Sequence, residues 1–370
     1  MSGTLLVATG FLGTFGGVQA VERSLHLTLH RLAQANGETH VTCTLADSQP
    51  MVRRARDLDG TVWAADGSRS RLVRKVTWQC LWTRPRVVIF SHVHLGRLAP
   101  IVRMLCARSR VITLAYGIDV WKPLDRLGRI GLRFSTAFWC ISRYTARQLA
   151  HHNRVPLSRV YLLPLAIDDL PPLQSVDANG HISLLSVCRL DRNERYKGID
   201  LALQAHALLV QEFRGLRFRI VGDGTDIDRL RVLVADLGTS DLVDFLGGVP
   251  SSELAGEYAR CNVFVLPSRK EGFGIVFLEA MAYAKPIVAC AAGGAPEVVP
   301  DGECGLLVPA NDLLALTESL RRLLADSQLR ARLGARGRQR VERFYTRSRF
   351  EDRVAQLVDG RVAALGSEAS

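Results

Sequence analysis

Two glutamates with seven residues between them, Glu271 and Glu279, bracket the segment whose residue types most clearly suggest chemistry. The apolar run 263–268 before them is typical of a buried parallel strand, and the pattern that continues past Glu279 is typical of a helix. Gly272 and Gly274 therefore lie in a strand-to-helix turn, where free amide groups and the helix dipole favour an anion. The carboxylates could accept hydrogen bonds from sugar hydroxyls, Glu279 from a ribose and Glu271 from a second polyol. A phosphate cradle between two such carboxylates suits a nucleotide-sugar.

This segment resembles the Glu-x7-Glu signature of the retaining glycosyltransferases of family 4, which have the GT-B fold. Two glutamates at this spacing could also simply cap and solvate a helix, so the rest of the chain must decide. The resemblance covers most of the chain and is strongest in residues 184–309. It implies an α/β protein with two doubly wound Rossmann-like domains that face each other across a cleft. It also implies that Glu271 is catalytic and that the donor is bound by Glu271, Gly272, Phe273, Gly274, Ile275 and Glu279.

Arg189 and Lys197 supply the positive charge that a diphosphate needs. A guanidinium presents a planar fork to phosphate oxygens, whereas an ammonium is a compact point charge. The segment 186–198 resembles the family's Arg…Lys-Gly motif, which binds the donor diphosphate, although the spacing is longer here. The resemblance implies that both residues bind the donor and stabilise the departing diphosphate. No carboxylate is obviously placed as a nucleophile, so we expect a front-face route in which the leaving phosphate helps to deprotonate the acceptor.

Two turns that follow predicted strands resemble family segments that line the nucleotide pocket. Gly222 lies in the first turn and Val249 in the second, and backbone groups near Val249 are expected to hold the base. Either turn alone is equally typical of an ordinary strand end. We interpret the glycine pair Gly293-Gly294 and the segment 301–309, which also match the family, mostly as scaffold.

The first half of the chain carries a glycine-rich loop and a His-x-His sequence. Gly16 and Gly17 match the Gly-Gly that the family places near the donor phosphate. The family often has His-x-His at the cleft edge with the second histidine near the reacting sugar, so His94 is the catalytic candidate and His92 the reserve. As a bare pattern, His-x-His is more often structural than catalytic. Tyr116 stands where many relatives have a histidine.

The chain alternates strand-like and helix-like segments throughout, as α/β proteins with parallel sheets do. Its 370 residues predict a first domain over 1–170, a linker over 171–181 and a donor domain over 182–345. A last helix over 347–364, within a segment 346–370, is expected to cross back to the first domain, as in the GT-B fold. The predicted strands are 5–8, 40–45, 86–91, 111–115, 138–142, 160–165, 182–187, 218–221, 243–246, 263–267 and 286–290.

Positive charge is concentrated in the first half of the chain. Residues 1–175 hold 23 Lys/Arg against 10 Asp/Glu, and all five tryptophans lie there. In the segment 68–82, Leu72, Trp78, Leu81 and Trp82 are predicted to share one face of a helix that is otherwise basic. Such a helix can lie on an anionic membrane surface, although a helix packed on its own sheet with a solvated basic edge is equally compatible. We therefore expect a lipid-linked saccharide acceptor and no nucleic-acid partner, since no recognition motif accompanies the charge.

The eight cysteines include no Cys-x-x-Cys pair, a pattern typical of reduced thiols in a cytoplasmic protein. No stretch approaches the roughly 20 apolar residues that span a bilayer. We expect a cytoplasmic location, with peripheral contact at the inner face of the cell membrane, and neither a cofactor nor a metal ion. Asp57-Leu-Asp59 and Asp226-Ile-Asp228 imitate the metal-binding Asp-x-Asp of another transferase fold, but neither directly ends a clear apolar strand.

The resulting prediction is an enzyme that moves a hexose from GDP-mannose or a UDP-hexose to a saccharide acceptor in envelope or exopolysaccharide synthesis. A GT-B-fold nucleotide-sugar epimerase and a non-catalytic nucleotide-sugar binding protein are alternatives. A short-chain dehydrogenase is a weaker one: Gly10, Gly13 and Gly16 imitate its glycine-rich turn, but none of the five lysines has a tyrosine four residues earlier.

Overall fold

A computed structural model describes residues 3–12, 16–55, 58–168, 170–172 and 182–367. The chain divides into two compact units, one formed by Met1–Leu165 with Ser348–Ser370 and the other by Ala166–Arg347. The predicted linker falls mainly on 173–181, which lie outside the described residues. Ile167 pairs with Thr346, so both ends of the second unit meet in an isolated β-bridge.

The first unit is built on a seven-stranded parallel sheet, counted over the described residues, in the order β3-β2-β1-β4-β5-β6-β7. Helices cover both faces of such a sheet, which is why the middle strands are apolar throughout rather than alternating. Its strands are β1 (Gly3–Ala8), β2 (Thr39–Thr44), β3 (Thr61–Ala64), β4 (Val87–Phe90), β5 (Arg110–Ala115), β6 (Ala137–Cys140) and β7 (Val160–Leu162).

Hydroxyl and carboxylate side chains begin several helices of this unit. Ser68, Asp125 and Ser142 each accept a hydrogen bond from the amide three residues later, which satisfies a donor in the first helical turn. The helices are α1 (Gly17–Ala35), α2 (Gln49–Arg54), α3 (Arg69–Thr83), α4 (Ala99–Leu105), α5 (Arg126–Phe134) and α6 (Arg143–Asn153), with 3-10 turns at Leu95–Leu98, Ile118–Val120 and Leu157–Arg159.

The second unit contains a six-stranded parallel sheet, within the part of the chain that the structure describes, in the order β10-β9-β8-β11-β12-β13. Its strands are β8 (Ser183–Val187), β9 (Arg217–Val221), β10 (Val243–Gly247), β11 (Val263–Leu266), β12 (Ile287–Cys290) and β13 (Gly305–Val308). Its helices are α7 (Ile199–Leu209), α8 (Ile227–Asp236), α9 (Ser251–Arg260), α10 (Ile275–Ala282), α11 (Ala295–Val298), α12 (Leu313–Ala325) and α13 (Ser327–Phe344), with 3-10 turns at Arg192–Lys197 and Ser240–Leu242.

The last helix, α14 (Arg347–Asp359), belongs to the first unit from Ser348 onward. Within that unit, the Arg353 guanidinium donates to the carbonyl of Leu162 at 2.9 Å. Arg110 donates to the carbonyl of Val358 at 2.7 Å, near the end of the helix. A final 3-10 turn spans Leu365–Ser367.

Two edge strands, β3 and β13, have no counterpart among the predicted strands. Each has only four residues and lies at an edge of its sheet. A short edge strand carries too few residues for a periodic apolar signal. β13 falls inside the segment 301–309, which the sequence analysis interprets mostly as scaffold.

Candidate active site

The candidate residues of the second unit follow the carboxyl ends of its strands. The loop with Arg189 and Lys197 follows β8, and the loop with Glu271 follows β11. These two strands are neighbours in the sheet, although two strands separate them in the chain. The strand order reverses between β8 and β11, and open parallel sheets bind ligands at this reversal point.

The backbone of Glu271 rests on the glycine pair that follows β12. The amide of Gly294 donates to the carbonyl of Glu271 at 2.7 Å. Gly293 has φ +64°, and a Cβ there would lie 2.3 Å from the same carbonyl oxygen. Only glycine fits this position, because any side chain would push Glu271 away.

Gly274 precedes the first residue of α10 and is in the left-handed conformation. It has φ +88°, and a Cβ there would lie 2.3 Å from the ring of Phe277. No side chain caps this helix, and Ile275 is its first residue. Uncapped amides at a helix N-terminus attract anions, as the sequence predicts for this turn. Gly272 directly follows Glu271 in the chain. Phe273 is buried, and its ring lies edge-on to that of Tyr345.

Lys197 and Glu271 form an ion pair across the two loops, with 2.9 Å between Nζ and Oε2. Backbone contacts fix this meeting: the amide of Arg269 donates to the carbonyl of Tyr196 at 2.8 Å. A Cβ on Gly198, which has φ +74°, would lie 2.5 Å from the carbonyl oxygen of Pro267. Burial alone would lower the pKa of Lys197, but its interaction with Glu271 outweighs this and raises that pKa. Lys197 is therefore held in its charged form by its pairing with Glu271.

Arg189 is exposed and pairs with Glu194 on its own loop. It lines the same small cleft as Lys197. Gly222 packs closely against this loop. A Cβ there would lie 1.8 Å from the carbonyl oxygen of Cys188, so only glycine allows this contact. The structure thus brings Arg189, Lys197 and Glu271 to one edge of the sheet, with Gly222 packed behind them.

Glu279 lies one turn into α10 and is oriented by a tyrosine that the sequence analysis missed. The hydroxyl of Tyr258, on α9, donates to Glu279 Oε2 at 2.6 Å. Burial raises the pKa of Glu279, and the hydrogen bond from Tyr258 opposes that rise. The other carboxylate oxygen has no hydrogen bond to the described residues. Val249, the predicted base contact, is half-buried in the loop after β10.

In the first unit, His94 and His92 follow the carboxyl end of β4. His94 is exposed, its ring centroid lies 4.9 Å from that of His92, and its amide donates to His92 Nδ1 at 3.2 Å. His92 Nε2 lies 3.8 Å from a carboxylate oxygen of Asp119. Burial lowers the pKa of His92, against the opposing influence of Asp119. Asp119, to which the sequence assigned no role, thus lies beside the reserve histidine.

Gly16 and Gly17 are exposed at the start of α1, and Gly16 is in extended conformation. Residues 13–15, which include Gly13 of the dehydrogenase-like pattern, lie outside the described part of the chain. The loop before them is held by two carboxylates that the sequence analysis did not single out.

Glu22 accepts hydrogen bonds from the amides of Thr9 and Gly10 at 2.9 and 3.0 Å. Asp47 accepts from the amides of Phe11 and Leu12 at 3.0 and 2.9 Å. Burial raises the pKa of Glu22, and hydrogen bonds from Ser91, Thr9 and Gly10 oppose the rise. The signal for Glu22 in the sequence was a charged residue among the apolar positions of α1, where it is buried with Val21 and Leu25.

The prediction that Leu72 shares a face with Trp78, Leu81 and Trp82 is wrong. In α3, Leu72 is buried, whereas Trp78 and Trp82 are 52% and 75% exposed. The buried positions follow a stripe that includes Val76 and Cys80, and the other face turns outward. The two tryptophan rings stack on each other with centroids 5.1 Å apart.

In the second Asp-x-Asp triplet, Asp226 forms ion pairs with two arginines. Asp226 lies 3.0 Å from the guanidinium of Arg195 and 2.5 Å from that of Arg229. Asp57 of the first triplet lies outside the described residues.

Residues 180–340 match the family model described as "Glycosyl transferases group 1". The chain is also 33% identical, over 72% of its length and 74% of the relative's, to the GDP-mannose-dependent alpha-(1-6)-phosphatidylinositol monomannoside mannosyltransferase of Mycolicibacterium smegmatis. The chain belongs to the group 1 glycosyltransferases. The match confirms the resemblance to family 4 drawn from the sequence, and the matched segment contains Arg189, Lys197, Glu271 and Glu279.

Other relatives of this glycosyltransferase agree with the assignment. A D-inositol 3-phosphate glycosyltransferase of Acidothermus cellulolyticus is 35% identical over 51% of this chain and 45% of its own. None of these relatives supports the epimerase or dehydrogenase alternatives.

Solved structures confirm the predicted GT-B fold. A glycosyltransferase of Rickettsia africae matches with a TM-score of 0.78 and 13% identity, over 97% of this chain and 98% of that one. Anabaena HepE in complex with UDP matches with a TM-score of 0.77 and 18% identity, over 97% and 100%. Within the described residues, no helix has the length and apolar character to cross a membrane.

Proposed function

We propose that this glycosyltransferase transfers mannose from GDP-mannose, with retention of configuration, to a saccharide carried by a lipid. The ion pair of Lys197 with Glu271 beside the uncapped N-terminus of α10 carries the proposal. It offers a cation and amides to a diphosphate, and a carboxylate to sugar hydroxyls. GDP-mannose is favoured over a UDP-hexose because the mycobacterial relative is named as GDP-mannose-dependent.

In the proposed reaction, the bond between the sugar C1 and the diphosphate oxygen breaks and its electron pair stays on the diphosphate. Arg189 and Lys197 stabilise that growing charge, since a cation aimed at developing charge in a dry site is a large source of catalysis. The acceptor hydroxyl oxygen bonds to C1 on the same face, and its proton passes to the leaving diphosphate. Glu271 and the amides of the turn orient the sugar, Glu279 holds the ribose, and His94 lies near the reacting sugar.

The test replaces both cations, in the double variant Arg189→Ala with Lys197→Ala. We expect turnover to fall by on the order of 10²–10³-fold or more, because removal of a single preorganised group commonly costs that much. Turnover is measured with GDP-mannose and UDP-glucose in parallel, and the anomeric configuration of the product by NMR. Lys270→Ala, which removes an exposed lysine next to Glu271, is the matched control. A double variant that keeps wild-type turnover would refute the assignment, and turnover only with UDP-glucose would refute the donor.

We also propose that the enzyme works at the inner face of the cytoplasmic membrane. The stacked, exposed Trp78 and Trp82 on a helix with four basic residues and no acidic one support this, because such rings partition into the membrane interface. Vesicles with and without phosphatidylglycerol test it in a flotation assay. We expect binding to anionic vesicles that falls when both tryptophans are replaced by alanine. Equal binding of the variant and the wild type would contradict this contact surface.

A further inference from the structure

A cavity of about 560 Å³ lies in the first unit, away from the candidate catalytic residues. It opens at the edge of the sheet where β5, β6 and β7 begin, whereas His92, His94 and Tyr116 follow the opposite ends of their strands. Its volume is within the range of about 300–1,000 Å³ that is common for small-molecule sites. The proposed transfer reaction does not use it.

Three arginines, Arg103, Arg133 and Arg159, line this cavity, and its lining contains no carboxylate. Arg103 donates to backbone carbonyls, one of them that of Ser109 at 3.2 Å. Arg159 donates to the carbonyls of Thr136 and Leu132, both at 3.4 Å. Carbonyl oxygens are neutral, so these bonds orient the guanidinium groups without cancelling their charge.

Arg133 has no hydrogen bond or ion pair to any residue that the structure describes. Burial lowers the pKa of Arg159, as expected for a cation that has lost water without gaining a carboxylate. The cavity thus concentrates positive charge that nothing in the described lining neutralises.

The exposed part of the lining, which forms the mouth of the cavity, includes two apolar side chains beside Arg133. Met104 and Phe134, which both line it, are 77% and 44% exposed. On α5, Leu127 and Ile130 are exposed with Phe134 at helical spacing, so this helix presents an apolar stripe outward. Its opposite face is packed closely, because a Cβ on Gly131 would lie 2.4 Å from the carbonyl oxygen of Gly96.

Three neighbouring helices, α3, α4 and α5, combine exposed apolar side chains with basic residues. α3 packs beside α4, and α4 beside α5. None of the three contains an acidic residue, and together they expose the tryptophan pair, Met104 and the stripe of α5. A surface with exposed apolar side chains among uncompensated cations is complementary to an anionic lipid bilayer.

We propose that the cavity binds the phosphate of an anionic membrane lipid, whose acyl chains leave over Met104 and Phe134. The guanidinium groups suit a phosphate, since they can form bidentate hydrogen bonds with its oxygens. The apolar mouth selects a lipid over a free anion, because a soluble phosphate gains nothing from Met104 or Phe134. The inference rests on the membrane contact proposed above and adds a specific head-group site to it.

The experiment compares Arg133→Gln with Arg129→Gln in the full chain. Each variant removes one exposed arginine of α5 that has no hydrogen bond or ion pair to the described residues, but only Arg133 lines the cavity. Binding is measured with vesicles made equally anionic by phosphatidylglycerol or by a fatty acid, whose charge is a carboxylate. We expect Arg133→Gln to weaken binding to phosphatidylglycerol by about tenfold or more, the usual value of a charged hydrogen bond. Arg129→Gln is expected to cost about fivefold or less, as for a basic residue near an anionic surface.

A second variant, Met104→Glu, places a carboxylate at the exposed mouth and is expected to abolish the preference for phosphatidylglycerol over fatty acid. Equal losses for the two arginine variants, with no head-group preference in the wild type, would overturn the cavity site and leave the membrane contact standing. Protection by glycerol phosphate in a thermal-shift assay, without vesicle binding, would overturn the lipid and identify a soluble anion. Transfer to a water-soluble acceptor, assayed in parallel, reports separately on the proposed function.

Discussion

At the scale of single residues, the two carboxylates of the candidate site, Glu271 and Glu279, have different hydrogen-bond partners. Glu271 is paired with Lys197, whereas Glu279 is held by Tyr258 and keeps one oxygen without a partner among the described residues. The first carboxylate is therefore electrostatically balanced and the second is available to hydroxyl groups. The residue types were evident in the sequence, but Tyr258 was not, because a buried tyrosine in an amphipathic helix usually signals only packing.

Tyr258→Phe is expected to weaken donor binding by about tenfold, since it removes a hydrogen bond to a carboxylate. That bond lowers the pKa of Glu279 against the effect of burial, so its loss raises the pKa further. The pH below which donor binding is lost should therefore move upward in the variant. Calorimetric titration of GDP-mannose between pH 5 and 8 measures both effects.

Tyr283→Phe is the matched control, because the Tyr283 ring stacks on that of Tyr258 with centroids 5.8 Å apart, whereas the hydroxyl that donates to Glu279 is that of Tyr258. Identical pH profiles for wild type and Tyr258→Phe would show that Tyr258 has no such role.

At the scale of elements, glycine turns between strands and helices determine where the functional loops lie. At three glycines, the backbones of two loops approach so closely that an added Cβ would clash with a carbonyl oxygen of the other loop. These are Gly198, Gly222 and Gly293. The sequence indicated glycine turns at these places, and we interpreted the pair at 293–294 as scaffold. The structure gives that scaffold a specific task, because it supports the carbonyl of Glu271.

Gly293→Ala is expected to reduce transfer activity at least tenfold and to destabilise the protein by more than the strain of its φ alone. Gly302→Ala is the control: Gly302 has φ +70°, but a Cβ there has no atom within 4 Å. The control should cost about 1–2 kcal/mol from left-handed backbone strain, with activity retained. Urea unfolding and the transfer assay measure the two quantities. Equal losses in both variants would mean that the contact with Glu271 does not matter.

At the scale of the whole molecule, a buried histidine network makes stability depend on pH. His40 Nδ1 lies 2.7 Å from the hydroxyl of Thr4, and His40 Nε2 lies 3.0 Å from that of Thr42. The same hydroxyl of Thr42 lies 2.8 Å from His26 Nδ1, and His26 Nε2 donates to the carbonyl of Asp59 at 2.8 Å. The hydrogen-bond partners of both histidines are hydroxyl and carbonyl groups, which carry no negative charge to stabilise a protonated ring. Burial accordingly lowers the pKa of His26 to about 4 and that of His40 to about 3.

Acid is therefore expected to destabilise the protein. An unfolded histidine takes up a proton near its ordinary pKa of about 6.5, whereas the folded ones do not. Their contribution to the free energy of unfolding is thus present above that value and is lost as the pH falls toward 4. Each histidine contributes about 1.4 kcal/mol per pH unit within this window.

The raised pKa of buried Glu22 acts in the opposite sense, so the test compares wild type with His40→Gln. Urea unfolding at pH 7, 6 and 5 should give a smaller loss of stability on acidification in the variant. An identical pH dependence would contradict the network.

The sequence by itself determined the alternation of strands and helices, the glycine turns and the residue types of the donor site, because these depend on neighbours along the chain. It also carried enough of the family's motifs to predict the fold class and the enzyme class. Only the tertiary structure decided that β8 lies beside β11, which brings Lys197 to Glu271 from 74 residues away. It alone decided which face of α3 turns outward and that three arginines from separate elements line one cavity. Strand order and burial depend on packing between distant segments, and local periodicity does not encode them.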